Sequence, residues 1–171
     1  MTRPDLAPSF DDYVAARGAD LVRTAWLLTG DHQRAEDLVQ TALGKTWQHW
    51  ARITREGQGS YDAYVRRVMM TTYIAWWRRR WNSEYPTEVL PEHQSTALDV
   101  TDLRRDLMTA LATLPRGQRA VLVLRYFEDR TEAQVAETLG CSIGAVKTQS
   151  ARAMAALRRN PTLAGAEVRD A

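Results

Sequence analysis

The chain has 171 residues, 44% hydrophobic and 26% charged, a composition that excludes disorder throughout and suits one ordinary domain or two small ones. The formal net charge is only +2. One cysteine excludes an internal disulfide, and no group of His, Cys and Asp has the spacing of metal ligands, so we predict no metal and no cofactor. The polar, acidic N-terminus and the lack of an apolar run near the ~20 residues that span a bilayer predict a soluble, cytoplasmic protein without membrane contact.

Tryptophan content and charge divide the chain at the same place. All six tryptophans lie in residues 1–81, which carry a net charge of +3. Residues 82–101 carry four acids, no Lys or Arg, and two prolines, which is typical of a flexible linker. Residues 102–171 again carry +3. We predict an all-α protein of two small domains joined by an acidic linker: domains 1–81 and 102–159, linker 82–101 and a disordered tail 160–171.

Three helices are predicted in the first domain. An apolar series from Phe10 predicts a helix that ends before Gly30, after which Asp31 can cap the second helix. The second helix has a wide apolar stripe, formed by Ala35, Leu38, Val39, Ala42, Leu43, Thr46, Trp47 and Trp50. Its opposite face is polar and includes Gln33, Asp37 and Gln40. The loop 51–60 contains two glycines and is predicted to be mobile.

The third predicted helix, from about Tyr61 to Trp81, has two different faces. Its core face consists of Val65, Val68, Met69, Thr72 and Trp76. The other face carries Arg67, Thr71, Ile74 and Arg78, flanked by Met70, Trp77 and Trp81. Arginine among aromatic rings suits unpaired nucleic acid, because cations bind phosphate and bases stack on flat rings. The alternative is that the two tryptophans pack on a neighbouring helix of the same domain.

The second domain contains the pattern of a helix-turn-helix. Two predicted helices, separated at Pro115, precede the segment TEAQVAETLGCSIGAVKTQSARAMAALRR. Thr131 and Gln134 form a capping box that opens the first helix of the motif. Gly140 supplies a left-handed turn, and Ser142 caps the second helix. This turn chemistry predicts a DNA-binding module.

Three further features fit the same module. Ala136 permits a close helix crossing, and Val146 is placed to pack under the turn. The core face of the second helix is predicted to consist of Ile143, Val146, Ser150, Met154 and Leu157. Its outward face combines small residues with cations that can reach bases or phosphates: Lys147, Thr148, Ala151 and Arg152. A solvated cationic face is the alternative for the two cations.

With these motifs in this order, the chain resembles the extracytoplasmic-function (ECF) sigma factors of bacterial RNA polymerase, in particular their SigE-like subgroup. The resemblance covers about residues 9–159. In the first domain it rests on the run AEDLVQ from Ala35 and on YVRRVMMTTYIAWWRRR from Tyr64. In the second it rests on LPRGQRAVLVLRYFED from Leu114 and on the helix-turn-helix. It implies a protein that binds core polymerase and directs promoter-specific transcription initiation.

The resemblance also implies roles for individual residues. The polymerase would be bound at the β′ clamp helices and the β flap, the former by Gln33, Asp37 and Gln40. The −10 element would be melted and read by Tyr61, Arg67, Thr71, Trp77, Arg78 and Trp81. The −35 element would be read by Lys147, Thr148, Ala151 and Arg152, with Arg119 and Arg125 on phosphates. Promoter DNA and an anti-sigma factor are therefore implied partners, and nucleoid association is expected once the polymerase is bound.

Two positions depart from the family pattern. Thr71 stands where many members have Asn, and Thr cannot make the bidentate contact to adenine that Asn makes. Ala151 stands where a larger, aromatic residue is common. The promoter sequence is therefore not transferred from a relative.

Two other functions compete with the sigma interpretation. An autonomous helix-turn-helix regulator would bind a palindromic site as a dimer, but it leaves the aromatic and basic face of the third helix unused. A DNA-processing enzyme would need a nucleophile and acid–base or metal groups in residues 1–81, and none is discernible, so we predict no enzyme and no small-molecule substrate. Cys141 lies in the predicted tight turn, where a small buried side chain is the simple explanation; a redox-sensor role would need an exposed, reactive thiol.

Overall fold

The computed structural model describes residues 7–55, 60–82 and 102–164, with the backbone alone described at residues 60, 77–82, 102, 103 and 164. All regular secondary structure in these ranges is helical, which confirms the predicted all-α class. The chain divides into two compact units, unit 1 from Met1–Ala25 with Gln33–Pro91 and unit 2 from Trp26–His32 with Glu92–Ala171. Nearly all of the predicted linker, and the tail after residue 164, lie outside the described residues.

Unit 1 contains α1 (Phe10–Thr29) as far as Ala25, α2 (His32–Trp47) from Gln33 onward, α3 (Trp50–Arg55) and α4 (Ser60–Asn82). The end of α1 and the first residue of α2 belong to unit 2. Helix α1 ends before Gly30, whose φ of +73° is the predicted left-handed termination. The buried face of α2 consists of Ala35, Leu38, Val39, Ala42 and Thr46, as its apolar stripe predicted. Val65, Met69 and Thr72 of α4 are buried as predicted. Helical periodicity therefore located most of this core.

Three expectations for unit 1 are wrong. Trp47 is 64% exposed, because α2 ends there and the chain turns before Trp50 starts a new helix. That helix, α3, occupies the first half of the segment predicted as a mobile loop, and its Ile53 is buried. Met70 was placed on the outward face of α4 but is fully buried, because the core covers a wider arc of this helix than one stripe.

Unit 2 contains α5 (Asp102–Ala112), α6 (Arg116–Leu122), a π-helical turn (Val123–Phe127), α7 (Glu132–Leu139), α8 (Ile143–Arg158) and α9 (Pro161–Ala164). The capping box is present: Gln134 N donates to Thr131 Oγ1 at 3.1 Å, and Thr131 N donates to Gln134 Oε1 at 2.9 Å. Gly140 has φ +68°, and Ser142 Oγ accepts from Ala145 N at 3.0 Å. The predicted helix-turn-helix is confirmed at its caps and turn.

Two expectations for unit 2 are corrected. The segment 160–164 is not disordered, because Asn160 Oδ1 accepts from Thr162 N at 3.0 Å and α9 packs against α5 and α8. Ile143 was placed in the core of α8 but is 46% exposed, since it is the first residue of that helix. Ala153, further along α8, is fully buried in its place.

Candidate nucleic-acid and polymerase interfaces

The predicted DNA-reading residues lie together on the exposed face of α8. Lys147, Thr148, Ala151 and Arg152 are all exposed, and they fall on adjacent turns of the helix. Val146 and Ala153 are fully buried on the other side and hold α8 in unit 2. The structure therefore presents this set as one surface with two cations and small residues between them, in the form that a groove-binding helix requires.

Two of these side chains have internal partners. Lys147 Nζ lies 3.8 Å from Glu132 Oε2 at the start of α7. Thr148 Oγ1 donates to the backbone oxygen of Gly144 at 3.0 Å. With its proton so used, the hydroxyl of the exposed Thr148 is left to accept hydrogen bonds from a ligand.

The two proposed phosphate-binding arginines are placed differently. Arg119 is 7% exposed, and its Nε donates to the backbone oxygen of Leu27 at 2.6 Å within unit 2. Arg125 is half-buried, its Nη1 donates to the backbone oxygen of Arg130 at 2.6 Å, and its guanidinium carbon lies 5.9 Å from the Tyr126 ring centre. Each guanidinium group therefore already donates to a backbone oxygen, and that of Arg119 is in addition almost wholly buried.

On α4, Arg67 and Thr71 are exposed four residues apart, as the sequence predicted. Thr71 Oγ1 donates to Val68 O at 3.0 Å, so its hydroxyl proton is used within the helix. Trp77, Arg78 and Trp81 lie in α4, but their side chains are outside the described part of the chain. This outward face of α4 is therefore described only along its first half.

Tyr61 is part of an aromatic cluster that joins three helices. Its ring centre lies 5.7 Å from that of Tyr13 and 5.6 Å from that of Trp50. Phe10 meets Trp50 edge to face at 5.5 Å, and Trp50 Nε1 donates to Pro8 O at 3.2 Å. Helical periodicity within single helices could not reveal this cluster, because its members come from the ends of different helices. Tyr61 is half-buried and fixed by its neighbours.

Next to this cluster is a network of three polar side chains. Asp62 accepts from Tyr13 Oη at 2.8 Å and from Arg66 Nε at 3.0 Å. Burial acts to raise the pKa of Asp62, but the hydrogen bonds and the charge of Arg66 outweigh it and hold that pKa below its ordinary value. Burial, and then the negative charge of Asp62, raise the pKa of the Tyr13 hydroxyl. The network fixes the first turn of α4, where Tyr61 lies.

The predicted polymerase-binding residues share one exposed face of α2. Gln33, Asp37 and Gln40 are exposed, and Gln33 Nε2 donates to Asp37 Oδ1 at 3.3 Å. Continuing at helical spacing, the same side of α2 carries exposed Gly44 and Trp47. Sequence reasoning placed Trp47 in the core, so it missed an aromatic side chain on this face. Trp47 is the last residue of α2. At the end of a helix, an apolar series can continue beyond the part of the helix that packs in the core.

Among the described residues, no helix is long and apolar enough to cross a membrane. Within the same ranges, no group of three His, Cys, Asp or Glu is placed to bind a metal ion. Cys141 was expected to be buried in the tight turn, and this expectation is wrong, because the residue is exposed there.

Family models match both halves of the chain. The model described as Sigma-70 region 2 matches residues 14–83, and the model described as Sigma-70, region 4 matches residues 104–157. The first match contains the exposed face of α2 and all of α4, and the second contains the helix-turn-helix with α8 except its last residue. Together they define the class of the protein as a DNA-binding transcription initiation factor.

Individual relatives narrow this class. The RNA polymerase sigma-E factor of Streptomyces coelicolor is 43% identical over 152 residues, which cover 87% of this chain and 84% of that protein. The ECF RNA polymerase sigma factor SigL of Mycobacterium tuberculosis is 33% identical over 157 residues, covering 87% and 84%. The chain belongs to the ECF sigma factors of RNA polymerase, as the sequence motifs predicted. It is a promoter-recognition factor that binds core polymerase and promoter DNA.

A solved structure agrees with the fold. The sigma factor RpoE of Bartonella quintana, in complex with the anti-sigma factor NepR, superposes with a TM-score of 0.64 at 24% identity. The match covers 87% of this chain and 94% of that one. At this identity the likeness establishes the shared helical architecture.

Proposed function

We propose that the two parts of this sigma factor divide promoter recognition between them. Residues 102–159 read the −35 duplex through α8. Residues 1–81 dock on core polymerase through α2 and open and read the −10 element through α4. The acidic segment 82–101 links them, passing close to the RNA path and mimicking nucleic acid by its charge. The tail from residue 165 has no role in this scheme.

The observation that carries the −35 assignment is the composition of the exposed face of α8. Ala151 and Gly144 are small and exposed, so the backbone can approach a groove closely. Arg152 and Lys147 supply donors on either side of them, suited to guanine or phosphate. Thr148 and Ala151 offer methyl groups for thymine. The base-reading set is Lys147, Thr148, Ala151 and Arg152, with Arg119 and Arg125 recruited to phosphates if their present hydrogen bonds exchange.

The polymerase assignment is supported by the exposed face of α2. A carboxylate at its centre, Asp37, is oriented by Gln33, and Gln40 lies one turn further along. Such a face suits charge-assisted contacts with a cationic helix of the partner. We assign it to the β′ clamp helices and assign the β flap to residues 102–159.

The −10 assignment is supported by the exposed part of α4 and by the aromatic cluster at its start. Arg67 can contact phosphate, and Thr71 can contact a base through its methyl group. Tyr61 is fixed by neighbouring rings. Arg78, Trp77 and Trp81 complete this set in our proposal, on the spacing of α4.

The remaining partners follow from the same role. The solved RpoE structure contains an anti-sigma factor, and we propose that an anti-sigma protein binds this chain over the same docking faces. We propose no catalytic activity and no small-molecule substrate, because bond formation in transcription belongs to the polymerase. The place of action is the cytoplasm, at the nucleoid when polymerase is bound.

Paired substitutions test the division of roles. Run-off transcription with purified core polymerase on a genomic library first supplies the promoter. Arg152→Ala should then lower promoter binding of the holoenzyme by about tenfold, since one base contact is worth ~1–3 kcal/mol, and leave core binding unchanged. Asp37→Arg should weaken capture of core polymerase by reversing the charge of the docking face. Arg104→Ala and Asp11→Arg, at exposed positions elsewhere, are the matched controls.

The results also separate the competing functions. An autonomous regulator predicts a palindromic footprint by the chain alone and no loss of activity with Asp37→Arg. Unchanged promoter choice with Arg152→Ala would remove the role of α8. An unaltered pull-down with Asp37→Arg would remove the role of α2.

A further inference from the structure

The Lys147–Glu132 pair lies inside the surface that we assign to the −35 element. Glu132 is the first residue of α7, and its Oε2 is 3.8 Å from Lys147 Nζ. Both side chains remain accessible, Lys147 at 65% and Glu132 at 35%. A negative charge is therefore fixed beside one of the two cations that face DNA.

The position of Glu132 matters in a second way. The first turn of a helix attracts anions, because its amide groups and dipole are positive. In α7 the Thr131–Gln134 capping box satisfies amide groups of this turn, and Glu132 adds a carboxylate to it. A DNA phosphate that approached the start of α7 would therefore meet a carboxylate instead of an open anion site.

These features affect specific and non-specific binding unequally. Non-specific binding depends almost wholly on cations that replace the counterions of phosphates. Lys147 already has a counterion in Glu132, so its contact with a phosphate of non-promoter DNA gains less free energy from counterion release than a contact by an unpaired lysine would. An ammonium group has three donors, so Lys147 can keep Glu132 and still donate to a base edge at the cognate site.

We propose that Glu132 is a specificity-determining residue of this sigma factor, acting through Lys147 to suppress binding to non-promoter DNA. The inference rests on the proposed reading of the −35 duplex by α8. Glu132 is a positioning residue in this role, because it touches Lys147 and not the base. Selectivity here comes from weakening the wrong complex more than the right one.

The test compares the holoenzyme carrying Glu132→Gln with the unmodified holoenzyme. Two DNA fragments of equal length are used, one with the cognate promoter and one with its −35 element scrambled. On the scrambled fragment we expect Glu132→Gln to tighten binding about twofold to fivefold, the usual range for an exposed ion pair. Tightening on the promoter should be smaller, so the specificity ratio falls. The salt dependence on scrambled DNA should steepen by about 0.9 in log–log slope, one added phosphate contact.

Two further variants separate the pair from general charge. Glu137→Gln makes the same change of charge at an exposed position of α7, five residues further along the helix. It should leave the specificity ratio unchanged. In a Lys147→Gln background, Glu132→Gln should have no effect of its own.

Equal effects of Glu132→Gln and Glu137→Gln, or an undiminished effect in the Lys147→Gln background, would overturn the inference. Failure of the inference remains distinct from failure of the proposed function. If Arg152→Ala still weakens promoter binding, α8 keeps its role and only Glu132 loses its own. If neither Arg152→Ala nor Glu132→Gln changes promoter binding, the assignment of α8 to the −35 element is also wrong.

Discussion

At the scale of single residues, Asp62 stabilises unit 1 through its charge. Its carboxylate accepts from Tyr13 and Arg66, and the side chain of Arg66 is 11% exposed. The pKa of Asp62 is lowered in the folded state, so the ionised carboxylate stabilises the folded chain relative to the unfolded one. This stability is present above the ordinary pKa of about 4 and is lost as the pH falls below it.

We therefore expect Asp62→Asn to destabilise unit 1 at pH 7 by about 2 kcal/mol, the value of a charge-assisted hydrogen bond lost beside a buried arginine. The difference from the unmodified chain should shrink at pH 3, because the Asp62 carboxyl of the unfolded chain is then largely protonated. Urea unfolding followed by tryptophan fluorescence measures the free energy of unfolding at both pH values, because Trp50 packs beside this network. The exposed carboxylate of Glu36 gives the control, Glu36→Gln. An equal difference at both pH values would contradict the argument.

Tyr13 acts at the opposite end of the pH scale. Burial, reinforced by the charge of Asp62, raises the pKa of its hydroxyl in the folded state. Its contribution to stability is therefore present below the ordinary tyrosine value of about 10 and is lost as the pH rises above it. The same three side chains thus limit the stability of unit 1 at both extremes.

At the scale of elements, the helix-turn-helix could be predicted closely because its signals are local. The capping box joins Thr131 to Gln134, and the N-cap of α8 joins Ser142 to Ala145. Gly140 adopts a backbone conformation that few other residues favour. Each signal acts within four residues, so no knowledge of neighbouring helices is needed. The exposed face of α8 followed from these signals and the helical period.

Other features could not be predicted because they depend on distant partners. Whether Trp47 or Met70 is buried depends on where the neighbouring helices end. The apolar pattern of one helix does not contain this information. The burial of Arg119 depends on a carbonyl 92 positions away in the chain. The aromatic cluster joins rings from three helices. These are tertiary contacts, and they changed the candidate site at Trp47, Tyr61 and Arg119.

Substitution of Gly140 tests the turn of the motif. With φ at +68° and no atom within 4 Å of an added Cβ, Gly140→Ala meets only the backbone cost of a left-handed alanine, about 1–2 kcal/mol. We expect the melting temperature of unit 2 to fall and −35 binding to weaken with it. Gly117→Ala lies in α6, also with open space around the added Cβ, and should stabilise by up to ~1 kcal/mol. Equal thermal shifts of the two variants in circular dichroism would contradict this account.

At the scale of the whole molecule, the low net charge limits how tightly the protein can bind DNA by itself. Residues 1–81 and residues 102–171 each carry a net charge of only +3, which suits weak binding to DNA at cellular salt. The segment between α4 and α5 has 19 residues and can extend to at most roughly 65 Å, about two turns of duplex DNA. Two weak modules on such a tether gain affinity once a third body keeps both at their sites.

This leads to an expectation for the free chain. At about 0.15 M salt it should leave no footprint on the promoter, whereas the same concentration added to core polymerase should protect both the −35 and the −10 regions. Lowering the salt should bring weak, sequence-independent binding by the free chain, because phosphate contacts are what it can offer alone. Asp37→Arg is the control that separates the two forms: it should abolish the holoenzyme footprint and leave the low-salt binding of the free chain in place. A specific footprint by the free chain at physiological salt, insensitive to core polymerase, would show that α8 alone selects the site.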